Sequence, residues 1–250
     1  MRLSETPELR PGETGDAALG GAVHVIQPGK GYRFSVDAVL LARFASEEAV
    51  GQALDLGCGC GVVALCLLAL GGARSVMGVD LQPDMVDRAA RSAAWNGWAA
   101  RARFLVADIR DLEGVLGAGR FDLVVANPPY RPVGAGRVSP DPSTAVARHE
   151  VACGIGDVVR TARERLAPGG RLCVVYPAAR LATLLWACRS EGIEPRVLRP
   201  VHPREGAPAS RVLLRAEKGG REGLELRAPL VLHAPGRRYS PEADRLLGPP

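Results

Sequence analysis

The sequence predicts a doubly wound α/β fold around a mainly parallel sheet. From about residue 50, short apolar runs alternate with stretches of helical length, the rhythm of parallel strands joined by crossover helices. The first run leads into a glycine-rich turn, Gly57-Cys58-Gly59-Cys60-Gly61. Polar residues (Asp55, Asp80, Asp108 and Asn127) recur where successive runs end, the edge at which such sheets bind ligands.

Residues 1–20 are polar and glycine-rich, which predicts a poorly ordered tail. Ala22–Ile26 and Tyr32–Phe34 flank Pro28-Gly29-Lys30-Gly31 and read as a hairpin. Ser35 has the character of an N-cap and opens an amphipathic helix through Asp37, Val39, Leu40, Leu41 and Phe44. Then come a strand at 53–56, a helix at 62–70 closed by Gly71-Gly72, a strand at 75–80, and a helix at 83–96 begun by Pro83. Strands at 102–106 and 121–126 follow, then a helix at 157–166, a strand at 171–176, a helix at 178–191 and strands near 196–201 and 211–217.

Composition narrows the function. With 47% hydrophobic and 24% charged residues, the chain can bury a globular core. No run of about 18 uncharged apolar residues exists, and Met1–Gly12 lacks the apolar stretch of a signal peptide, so a cytoplasmic protein without membrane contact is expected. Cys58, Cys60, Cys66, Cys153, Cys173 and Cys188 include one C-x-C but no second pair or histidine at zinc-ligand spacing. Free thiols and no metal are expected. Residues 196–250 carry eleven basic against six acidic side chains and hold the whole net charge of +5. A basic end suits a polyanion, although arginine bias alone yields the same count. Oligomeric state is not legible.

Asp55-Leu56-Gly57-Cys58-Gly59-Cys60-Gly61 is D-x-G-x-G-x-G between a strand and a helix. Glycine suits a tight turn whose backbone closely approaches a ligand, and the following helix N-terminus favours an anion. A dinucleotide loop wants G-x-G-x-x-G, but Val62 holds its third glycine position. The loop therefore fits S-adenosylmethionine, whose anion is a carboxylate. Asp80 can accept both ribose hydroxyls, and Asp108 can accept from the adenine amine. Cys58 within the loop, and Leu81 and Ile109 directly after those carboxylates, complete this part of the set.

Asn127-Pro128-Pro129-Tyr130 follows the strand 121–126. An amine on an aromatic ring delocalises its lone pair. Two acceptors gripping its N–H groups can turn that pair towards a methyl donor and stabilise the charge that develops. The Asn127 side-chain oxygen and the Pro128 carbonyl suit that role. Two prolines stiffen the loop, and Tyr130 offers a face for stacking a base.

The loop 55–61 and Asn127–Tyr130 resemble the class I amino-methyltransferases. Gln27–Leu41 and His202–Leu214 are more narrowly similar to bacterial enzymes that methylate the N6 amine of an adenine beside the anticodon of valine tRNA. The resemblance implies a seven-stranded, Rossmann-like sheet in residues 50–250 with a basic C-terminal part. Before it come a hairpin and helix at 21–49 and the tail at 1–20. It places Phe34, Ser35 and Asp37 along the methionine end of the cofactor. It also makes Arg148 and His149 part of a segment closing over the site, although His149 could equally be a surface-loop histidine. The insertion 132–147, rich in Gly, Pro and Ser, suits a mobile substrate loop. Arg204 and Arg211 are candidate phosphate contacts or solvated strand-end arginines.

The reading is thus an RNA N6-adenine methyltransferase, with tRNA the expected partner. A protein glutamine-amide methyltransferase uses the same acceptor motif, but usually with an N-terminal helical domain for which some 50 residues leave little room. Methylation of a guanine amine in rRNA is the other alternative. DNA methylation normally needs a domain that helps extrude a base. A scaffold that has lost its chemistry is opposed by the intact Asn127–Tyr130.

Overall fold

The computed structural model describes residues 7–31, 33–128 and 154–249. Strands β1 (Glu13–Ala18) and β2 (Val23–Pro28) form an antiparallel hairpin in which Glu13 faces Pro28 and Ala18 faces Val23. Residues 13–18 are therefore a strand, not part of a disordered tail. The hairpin closes at Leu19–Gly21, not at Pro28–Gly31. Sequence patterning missed the turn because Ala18-Leu19 is apolar, yet Leu19, Gly20 and Gly21 all take positive φ there.

Helix α1 (Val36–Ala45) starts at the N-cap Ser35, whose Oγ accepts from the Asp37 amide at 3.3 Å. The alternation then runs β3 (Val50–Leu56), α2 (Val62–Ala69), β4 (Ala73–Asp80), α3 (Pro83–Trp95), β5 (Ala102–Val106), α4 (Glu113–Leu116) and β6 (Phe121–Ala126). After the segment 129–153 come α5 (Ile155–Arg165), β7 (Leu166–Pro177), α6 (Leu181–Ser190), β8 (Ile193–Arg204), β9 (Arg211–Lys218), β10 (Glu225–Leu226), β11 (Leu230–His233) and α7 (Pro241–Leu247). Strand β7 begins at Leu166 directly after α5, so Pro168-Gly169-Gly170 lies within the strand, beside a register shift against β6.

The strands lie in the order β5-β4-β3-β6-β7-β9-β8, with β10 and β11 added along the outer edge of β8. Among the described residues the seven expected strands thus become nine. All pairings in this sheet are parallel except those of β9, which runs against β7 and β8. Helices α1, α2, α3 and α7 cover one face and α5 and α6 the other, and each face has its own apolar layer.

The hairpin is part of the first layer. Its edge strand β2 donates to side chains of α3 and its C-cap: the Ile26 amide to Ser92 Oγ (2.8 Å) and the His24 amide to Asn96 Oδ1 (2.9 Å). His24 stacks on Trp95 with ring centroids 4.7 Å apart. Half-buried Glu13 binds Arg88 and Arg91 from the same helix. An edge that could template another strand is satisfied internally. Among the described residues no helix is long and apolar enough to cross a membrane.

Candidate active site

Strand order reverses between β3 and β6, where α/β sheets bind ligands beyond the carboxyl ends of their strands. The loop leaving β3 is pinned to β4: the amides of Gly57 and Cys58 donate to the Val79 carbonyl at 2.9 and 3.0 Å. Gly57 and Gly59 have φ of +71° and +52°, and a Cβ on either would meet nothing within 4 Å. Backbone conformation requires these two glycines, and both border open space. Gly61 is constrained twice, by φ +81° and by Ala89 and Phe104 side-chain atoms 3.0 Å from an added Cβ.

Gly61 is the N-cap of α2 and has no side chain to cap with. Asp55 supplies the missing acceptor from the strand, taking the Ala64 amide at 3.2 Å. Burial pushes its carboxyl up to about 7, opposed by the Ala64 bond and assisted by nearby Asp80. Asp80 is buried at the end of β4 and accepts from the amides of Gly59 (2.7 Å) and Gln82 (2.9 Å). Burial raises its pKa too, against the three amides that stabilise the charge. Asp108, past β5, is bound by Arg110 through Nε and Nη2, and the guanidinium holds its carboxyl below the usual range. Three amides leave Asp80 lone-pair capacity for a ligand, whereas both oxygens of Asp108 are engaged by the amide and guanidinium of Arg110, which must yield for Asp108 to accept from one.

Residues 34–37 reach the same edge from the hairpin. The Phe34 amide donates to the side chain of buried Gln27 (3.1 Å), and Arg33 binds Asp16 (2.7 Å) and Thr14 (3.0 Å) on β1. Asp37 is buried and accepts from Arg211 Nε at 3.2 Å. Arg211 begins β9 opposite Pro177 of β7 and Val201 of β8, at the carboxyl edge. It is an intramolecular partner of Asp37, not a solvated strand-end arginine.

Leu56 and Ala126, the last residues of β3 and β6, are register partners. The glycine loop and Asn127 therefore leave the sheet side by side, about 4.8 Å apart by strand spacing. Asn127 is half-buried and Pro128 buried. Leu81 is exposed and Ile109 half-buried behind their carboxylates, and Arg204 is exposed at the end of β8. Tyr130, Arg148 and His149 lie outside the described residues. The roles of Gln27, Gly78, Phe104 and Arg110 were not read from the sequence. A mid-strand glycine in Val76-Met77-Gly78-Val79 was an available signal of close approach: a Cβ there would lie 2.5 Å from Phe104 and 2.8 Å from Cys58 Sγ. The described cysteines are free and buried, and burial pushes the Cys60 and Cys66 thiols up to about 12.

Residues 53–132 match a family described as a methyltransferase domain. A Porphyromonas gingivalis protein named tRNA1(Val) (adenine(37)-N6)-methyltransferase is 32% identical over 239 residues, spanning 89% of this chain and 90% of its own. The chain belongs to that family. An Aeromonas salmonicida protein of the same name is 29% identical, covering 87% of this chain and 89% of its own. A crystal structure from Agrobacterium tumefaciens, described as a predicted O-methyltransferase, superposes with a TM-score of 0.65 at 29% identity, over 84% of this chain and 94% of that one. This methyltransferase depends on S-adenosylmethionine. Its residues fit that cofactor: open space beside Gly57 and Gly59, and buried Asp80 and half-buried Asp108 at successive strand ends.

Proposed function

We propose that this methyltransferase modifies the N6 amine of an adenine in tRNA, in the cytoplasm. The observation that carries the reading is the pairing of Leu56 with Ala126, which sets the cofactor loop beside Asn127-Pro128. The family supports the choice of acceptor, since relatives covering most of the chain are named for adenine-N6 methylation of valine tRNA.

The glycine loop and Asp55 form the anion-binding turn, while Asp80 and Asp108 accept from the ribose and adenine of the cofactor. Phe34, Ser35 and Asp37 line its methionine end, with Asp37 held by Arg211. When bound, S-adenosylmethionine supplies an electrophilic methyl on a sulfonium. The Asn127 side-chain oxygen and the Pro128 carbonyl hold the two N–H groups of the acceptor and point its lone pair at the donor. Release of that methyl, with the cofactor leaving as a neutral thioether, would place the positive charge on the acceptor nitrogen, where the Asn127 oxygen and Pro128 carbonyl would stabilise it. The extra proton leaves the nitrogen afterwards, so no general base is needed. Tyr130 stacks the base, and Arg148 and His149 contribute from the segment that follows.

The test is labelled S-adenosylmethionine with tRNA, rRNA and protein from a strain lacking the gene, followed by nucleoside and amino-acid analysis. Label in N6-methyladenosine of tRNA is the expected result. Label in N2-methylguanosine or in a glutamine amide would replace the reading.

A further inference from the structure

Most of the basic C-terminal segment is consumed by the fold. Arg199 binds Glu242, Arg211 binds Asp37, Arg215 binds Glu47 and Glu48, and Arg227 binds Glu47 and Glu225. Arg196 donates to the carbonyls of Arg221 and Gly223, and Lys218 to those of Arg163 and Leu166. Among the described residues of this segment, Arg204, Arg221, Arg237, Arg238 and Arg245 have no acidic partner, and all are exposed. The net excess of positive charge is thus concentrated in a few free guanidinium groups.

Topology gathers three of these. Strand β11 runs parallel to β8 with His233 paired to Arg204, so both strands end at the carboxyl edge. The chain then turns back: the Arg237 amide donates to the Ala234 carbonyl, His233 Nδ1 contacts the Arg238 carbonyl, and the Ser240 amide returns to the Leu232 carbonyl. His233 stacks on Tyr239 with centroids 5.5 Å apart, and Arg238 lies over the same ring at 5.3 Å. The turn is therefore braced, and Arg237 and Arg238 follow directly on His233, the register partner of Arg204. The single acidic neighbour in sequence is Glu205, which leaves the group with two net positive charges. Arg221, in the β9–β10 connection, lies at the opposite edge, and Arg245 is on α7.

From β6, which carries Asn127, the strand order passes through β7 and β9 to β8 and then β11. At about 4.8 Å per step this sets the arginines roughly 14–19 Å from the acceptor motif, on the same edge. That span is close to the width of a nucleic-acid stem. We propose that Arg204, Arg237 and Arg238 form a phosphate-binding ledge that seats the RNA backbone while the target base enters at Asn127. The ledge rests on the RNA reading above and specifies where the RNA lies on the enzyme. It contributes affinity and register, not chemistry.

The test compares wild type with R237A/R238A, R204A and the control R221A/R245A, using total tRNA from a strain lacking the gene. Equilibrium binding is measured across salt, alongside KM, kcat and cofactor affinity. The ledge predicts that R237A/R238A flattens the plot of log K against log salt by about two, near 0.9 per lost phosphate contact. It also predicts a KM for tRNA at least tenfold higher, with kcat and cofactor affinity within twofold of wild type. R204A takes about one from the slope, and the control takes nothing. An unchanged slope and KM in R237A/R238A, or an equal loss in the control, overturns the ledge. If wild type binds tRNA with a slope that R237A/R238A lowers but transfers no methyl to it, the ledge stands and the methylation reading falls.

Discussion

Arg211 donates to Asp37 across 174 residues of chain, joining the first strand-end residue of β9 to the first turn of α1. Asp37 is nearly buried and Arg211 only partly exposed, so the bond fixes the hairpin-borne segment 34–37 to the carboxyl edge of the sheet. Arg211→Met leaves a buried carboxylate without this donor. A loss of about 1.5–3 kcal/mol, the usual worth of a hydrogen bond to a charged group, is expected in denaturant unfolding, with weaker cofactor binding. Adding Asp37→Asn restores part of the stability, because the two changes share one contact. Additive losses would show that the pair is not coupled.

Asp55 gives a pH signature. Its folded-state pKa of about 7 lies above the ordinary 3.8, so the folded protein keeps a proton that the unfolded chain has lost. Its contribution to stability therefore declines as pH rises from about 4 to about 7 and is flat beyond. In cofactor-free protein, Asp55→Asn removes that decline. Unfolding curves at pH 5 and pH 8 check this, and identical pH profiles for the two proteins would refute it.

Glu13 gives the opposite sign. The hydrogen bond from Arg91 holds its carboxyl down at about 2, so its stabilisation is complete above about 4.5 and is lost as pH falls through 2. Glu13→Gln should lower the melting temperature at pH 7 and match wild type near pH 2. A gap that persists in acid would mean the clamp on α3 is not electrostatic.

Gly78 underlies the cofactor loop. A Cβ there meets the Phe104 ring at 2.5 Å and Cys58 Sγ at 2.8 Å, so Gly78→Ala overpacks the contact between β4 and the loop. A cost of about 1–3 kcal/mol is expected, with reduced cofactor affinity because Cys58 must shift. Phe104→Leu in the same background recovers part of both. Full cofactor affinity in Gly78→Ala would place Cys58 away from the binding path.

The βα core was legible because its signals are local. Apolar runs, Pro83 at a helix start and Gly71-Gly72 at a helix end set boundaries within a few residues, and β5 and β6 match residue for residue. The N-terminal strand β1 was not legible. Its Glu13, Thr14 and Asp16 look like solvated polar residues, and their distant partners, α3 and Arg33, come to them only through the fold. Likewise β10 and β11, two and four residues long, gain their identity from the edge of β8. The start of α7 is readable in Ser240-Pro241, an N-cap followed by a first-turn proline. Within the site, strand-end carboxylates were visible as residue types. The roles of Gln27 and Arg110 depend on partners that only folding reveals.

The most direct test is Asn127→Ala, measured for equilibrium S-adenosylmethionine binding and for single-turnover methyl transfer to tRNA lacking the modification. Cofactor affinity within a few-fold of wild type, with formation of N6-methyladenosine abolished, is the predicted result. Turnover surviving at a wild-type rate would contradict the assignment of Asn127 as the group that holds the acceptor amine.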